Sequence, residues 1–166
     1  MGIKLDKFFN KFDQYIGNIS AVLMLLMMVN VVIDVILRYF FHTGSIGLQE
    51  MEWHLFSVMF LIGISYALND EAHVRVDFIY DNMSTKRKAW VNILGTIFML
   101  VPFALFIAYT SYDFVLDAYI TNEISEDPGG LTHRWMIKAM IPLAFVLLLI
   151  SAIAYIRQNI SKLKAK

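Results

Sequence analysis

Asn30, Asp34 and Arg38 stand at i, i+4 and i+8 of an otherwise apolar run, so an amide, a carboxylate and a guanidinium share one stripe of a helix. An acid inside an apolar segment is costly, and it either pairs or lines a path for protons or ions. Arg38 lies one turn from Asp34, at the spacing of a helical ion pair. A local pair facing protein, with Asn30 donating to a neighbouring helix, is the expectation; a proton or ion site at Asp34 is the alternative. The four histidines are the candidates for haem ligation. His42 and His133 fall in loops on one side, His73 in a loop on the other, and His54 at the start of the second apolar run. Axial ligation needs histidines within facing helices, so haem is not expected. The absence of cysteine excludes disulfides, thiolate catalysis and Cys-ligated clusters. No Ser/His/Asp arrangement, H-E-x-x-H or phosphate-binding glycine loop occurs, and nothing in the chain argues for an enzyme.

The elements that must position these groups are long apolar runs. They cover roughly 15–37, 53–68, 90–112 and 135–156, and charged residues fall mainly between them. At ~1.5 Å per residue, a helix needs ~20 residues to cross ~30 Å of hydrocarbon. Backbone in lipid must satisfy its own hydrogen bonds, which leaves helices or closed barrels, and the runs lack the alternation of barrel strands. The 166 residues are 58% hydrophobic and 17% charged, against ~25% charged for a soluble domain. The expectation is one all-α membrane domain over residues 1–166 with four transmembrane helices. Zero formal net charge argues against nucleic acid as a partner. The first run is longer than a signal-peptide core and lacks an A-x-A site after it, so it reads as a retained helix.

Lysine and arginine set the orientation. Eleven lie before the first run, between the second and third, or after the fourth; the other two loops hold only Arg38 and Arg134, with Lys138 just inside the fourth run. By the positive-inside rule both termini are cytoplasmic. Trp53, Trp90 and Trp135 each open a span, where an amphipathic ring suits the interface. Ahead of the first span, Ile3, Leu5, Phe8, Phe9, Phe12, Tyr15 and Ile16 recur at near-helical spacing opposite Lys4, Asp6, Lys7 and Lys11, which predicts an interfacial amphipathic helix.

Several further groups are candidates for structure or partner contact. Glu50 and Glu52 lie on the same side as Arg38, and sharing its guanidinium would tie the first two helices together. Gly63 and Ala67 form a small-xxx-small pair that admits a close helix. Pro102 and Pro142 are expected to kink their spans. Asp113 and Asp117 imply a third helix that extends beyond the membrane, and Asp127-Pro128-Gly129-Gly130 must end any helix. That loop, with Glu123 and Glu126, is either a solvated acidic turn or a dock for a basic partner. His73, Arg75 and Asp77 alternate, so an extended segment would present all three on one side. They form either a cytoplasmic clamp on a partner or lipid, or a loop network within the chain.

Three stretches taken together resemble one family. They are Arg38-Tyr39-Phe40-Phe41 followed by Gln49-Glu50-Met51-Glu52; Phe60-Leu61-Ile62-Gly63 followed by His73-Val74-Arg75-Val76-Asp77; and Pro128-Gly129-Gly130-Leu131 with Arg134-Trp135, Lys138 and Ile141-Pro142-Leu143. Over roughly residues 15–156 the chain resembles the small, Q-type membrane subunit of tripartite ATP-independent periplasmic (TRAP) transporters. The resemblance implies a multi-pass protein of the bacterial inner membrane. It implies a scaffold packed against a large membrane subunit that holds the sodium and substrate sites, so that this chain carries no cofactor of its own. A periplasmic binding protein would deliver an organic acid, and membrane lipids would be further partners. With no linker after Lys166, the chain is expected to be the separate rather than the fused form. The rival readings are a membrane-anchor subunit of a redox complex and a small proton-coupled exporter using Asp34.

Overall fold

The computed structural model describes residues 2–69, 80 and 82–164, with the side chains of residues 2–8 and 10 left undescribed. Four long helices are present: α1 Gly2–Phe40, α2 Ile46–Asn69, α3 Thr85–Ile120 and α4 Trp135–Lys164. Each is long and apolar enough to cross a membrane, and all four apolar runs of the sequence fall on them. The segment expected to form a separate interfacial helix is instead the first part of α1, which continues unbroken to Phe40. No proline or turn sequence stands between the two, so the backbone has no reason to stop. Gly17 lies within this helix and serves a contact: a Cβ there would come within 2.9 Å of the Tyr66 ring on α2.

The helices form an open layer rather than a closed bundle. Their order across it is α1, α2, α4, α3, so α4 separates α3 from α2 and α1 touches α4 only slightly. The central packing joins Leu68 of α2, Ala104 of α3, and Leu148, Ala152 and Tyr155 of α4. Small side chains permit it. Ala104, Ser111 and Ala118 repeat at seven-residue intervals on the buried side of α3, and Ala144, Ser151 and Ala152 are buried on α4. Lipid tails are as apolar as leucine, so close backbone approach through small residues is what holds such helices together. The outward sides of α1 and α3 remain apolar and exposed, for example at Leu25 and Val29, and at Phe98, Phe106 and Tyr109.

Thr96–Leu100 of α3 is a π-helical turn in which the Val101 N–H bonds to the Thr96 carbonyl. Pro102 follows directly. Proline lacks an N–H and its ring crowds the carbonyl four residues back, and a widened turn relieves both problems. The extra residue also steps the buried stripe by one, from Ala89, Ile93 and Thr96 to Ala104, Ser111 and Ala118. Pro142 is accommodated inside an otherwise continuous α4. As expected, α3 carries Asp113 and Asp117 within its helix, and 127–130 is a turn.

Candidate functional site

At one end of the layer lie the α1–α2 and α3–α4 connections, and Glu50 joins them. It opens α2 and is buried, 7% exposed. Its carboxylate accepts hydrogen bonds from the Ser125 hydroxyl and the Leu131 N–H, and so pins the α3–α4 loop to α2. The loop is shaped for this. Gly129 adopts φ +87°, a left-handed conformation that side chains rarely take. A Cβ on Gly130 would lie 2.8 Å from Glu50 Oε2 and 2.5 Å from Ser125 Cβ. The sequence expectation that Glu50 or Glu52 shares the Arg38 guanidinium is corrected here: Glu50 turns to the loop, because two donors and a space without side chain await it there. Glu52 is half-buried beside it. Glu50→Gln and Gly130→Val are each expected to free the loop, seen as amide exchange over 121–134 that is faster by about tenfold while α1 and α2 are unchanged. Unchanged exchange in both variants would show that this contact does not hold the loop.

The polar stripe of α1 sits beside this hub. Asp34 is 2% exposed and forms an ion pair with Arg38. Asn30 donates to the Leu48 carbonyl of α2 at 2.9 Å. Tyr39 is exposed. Just before α4, the Arg134 guanidinium lies over the Trp53 ring, 5.7 Å from its centroid. Trp135 meets Tyr119 edge-on at 5.4 Å, and Lys138 bonds to Glu123 and lies 4.0 Å above the Phe114 ring. His54 stays within its own helix, with Nδ1 2.6 Å from the Glu50 carbonyl. Gly63 of α2 faces Ser20 of α1. His73, Arg75 and Asp77 fall outside the described residues.

The opposite end has polar contacts that sequence reading passed over. Asn69 of α2 donates to Asp13 of α1 at 2.9 Å, Ser151 of α4 donates to the other Asp13 oxygen at 3.4 Å, and Ser65 of α2 lies 3.2 Å from Ser151. Three helices thus meet on one carboxylate. Asn159 of α4 is 1% exposed; it accepts from Asn92 of α3 at 3.0 Å and donates to the Tyr155 carbonyl at 2.9 Å. Asn92 also reaches the Tyr80 hydroxyl at 2.9 Å. The available signal was phase: Asp13 lies on the side of α1 that carries Ile16, Gly17 and Ser20 toward α2. Among the described residues, no group of three His, Cys, Asp or Glu side chains is placed to hold a metal ion.

Apart from the Asp34–Arg38 pair and the His54 and Asn159 bonds within their own helices, these contacts tie helices and loops to each other. Residues 27–162 match the family described as tripartite ATP-independent periplasmic transporters, DctQ component. The chain is 29% identical to the ectoine TRAP transporter small permease protein TeaB of Halomonas elongata, covering 93% of this chain and 79% of TeaB. It is 29% identical to a putative TRAP transporter small permease protein of Haemophilus influenzae, covering 79% of this chain and 83% of that one. It is 24% identical to the sialic acid TRAP transporter permease protein SiaT of Haemophilus influenzae, where 86% of this chain spans only 22% of SiaT. The chain therefore belongs to the DctQ-component family of TRAP transporters, as a multi-pass inner-membrane protein of the small-permease type.

Proposed function

We propose that this chain is the non-catalytic small permease subunit that scaffolds a large transport subunit, in a system that uses a sodium gradient to take up an organic acid handed over by a periplasmic binding protein. The observation that carries the reading is where the polar groups of the helices go. Asp13, Asn30, Glu50, Asn92, Ser151 and Asn159 all bond to another helix or loop of the same chain, which is the use a scaffold makes of them. The sodium and substrate sites belong in the large subunit, and the apolar outer sides of α1 and α3 supply surface for a partner helix or for lipid. The length of SiaT, of which this chain matches a small part, is in keeping with a small and a large permease joined in one polypeptide.

In this reading the Glu50 end faces the periplasm and both termini face the cytoplasm. The native chain has no cysteine, so single introduced cysteines report sidedness directly. A cysteine at Lys86 should resist an impermeant maleimide added outside intact cells, and one at Asp127 should react. The reverse pattern would sink the orientation. Affinity purification of the tagged chain should bring down a larger polytopic protein in a fixed ratio; a chain that purifies alone from membranes containing its neighbours would count against the scaffold role.

A further inference from the structure

Two cavities meet beside Arg134. The outer one, about 470 Å³, is polar and lies between the start of α2 and the α3–α4 loop, with Gln49, Glu126 and Asp127 among its walls. The second, about 410 Å³, is an apolar groove between α2 and α4, walled by Phe56, Phe60, Ile137 and Ile141. Trp53 and Arg134 line both. From Trp53 to Phe60 the groove descends ~10 Å along α2, within the ~15 Å of one hydrocarbon leaflet.

Arg134 is held but not satisfied. Its guanidinium stacks over Trp53, and no acidic side chain among the described residues forms an ion pair or hydrogen bond with it. Glu50, close enough to feel its charge, turns its oxygens to Ser125 and Leu131. Lys138 is occupied by Glu123. A guanidinium offers five donors in a planar fork that suits phosphate, and a half-buried one at a membrane interface calls for such an acceptor. Farther toward solvent, Glu126 and Asp127 are exposed carboxylates lining the polar cavity. The sequence of environments is apolar groove, cation, anions. It matches acyl chain, phosphate and ammonium.

We propose that this site holds one zwitterionic phospholipid bearing a primary ammonium. Its phosphate sits on Arg134, its ammonium points toward Glu126 and Asp127, and one acyl chain lies between α2 and α4. An anionic lipid without the ammonium would set uncompensated charge against those acids. The inference rests on the membrane-spanning fold and not on the transport reading.

The test uses the full chain, extracted from membranes and exchanged into nanodiscs of equal parts phosphatidylethanolamine and phosphatidylglycerol, then examined by native mass spectrometry. One retained phosphatidylethanolamine per chain is expected. Arg134→Gln should lower its retention about tenfold through loss of the charge-assisted bonds. Ser57→Trp fills the groove without altering charge and should expel the lipid too. The pair E126Q/D127N should erase the preference for phosphatidylethanolamine. Absence of retained lipid, equal retention of the two lipids, or retention that survives both Arg134→Gln and Ser57→Trp overturns the proposal. So does a photoreactive group at Phe60 that, in native membranes, cross-links to protein and not to lipid.

Discussion

Liposomes that contain this chain alone are expected to show no sodium-dependent uptake, while liposomes with the large subunit and a soluble binding protein added should show it. The expected effect is all or none. Transporters bind substrate near the midplane with broken helices, paired between the two halves of the fold. Among the described residues, the interruptions are a single π-helical turn ahead of Pro102 and the single Pro142, on neighbouring helices and without a matching pair. The acid nearest to a pathway role, Asp34, is already paired with Arg38. Uptake driven by sodium in liposomes holding this chain by itself would overturn the scaffold reading, and it would leave the lipid site of Arg134 standing or falling on its own test.

The second large effect concerns that pair, and the structure makes it asymmetric. The Asp34 side chain is 3% exposed and that of Arg38 49%. Among the described residues Asp34 Oδ1 has no hydrogen-bond partner, so Arg38 is the main compensation for a buried carboxylate. Arg38→Ala strands that charge and should destabilise the subunit by about 3 kcal/mol. Asp34→Asn removes the charge and leaves a half-exposed guanidinium that reaches water or head groups, so about 1 kcal/mol is expected. The double variant should resemble Asp34→Asn alone, because the cost of Arg38→Ala exists only while Asp34 is charged. Thermal unfolding in detergent measures all three. Additive losses would mean that the two side chains do not interact. Loss of uptake in Asp34→Asn with the complex fully assembled would return Asp34 to the role of a coupling site.

Sequence alone made the four spans legible because bilayer thickness fixes how long an apolar helix must be, and that length is written locally. The Asp34–Arg38 pair was legible for the same reason: its geometry is one turn of a helix. Glu50 was not. Its donors, Ser125 and Leu131, lie 75 and 81 residues away, and only the packing of α2 against the α3–α4 connection brings them together. Asp13 and Asn159 were missed for a related reason. Each sits just outside an apolar run, where polar residues are ordinary, and their burial depends on which helix lies alongside. The extent of α1 was misjudged because amphipathic spacing shows which side of a helix is apolar but not where the helix bends.

The order of the helices in space has a consequence for how the protein is made. Ribosomal synthesis delivers α1, α2, α3 and then α4, whereas the layer runs α1, α2, α4, α3. The α1–α2 hairpin can therefore close as it emerges, but α3 enters the bilayer before the surface it packs on exists. Until α4 is inserted, Ala104, Ser111 and Ala118 have only lipid to meet, and the Asn92 amide waits without Asn159 nearby. Biogenesis thus has an interval in which half of the subunit is formed and the other half is adrift. The nascent protein is most open to membrane chaperones and quality-control proteases during that interval, which ends when the last helix slides between α2 and α3.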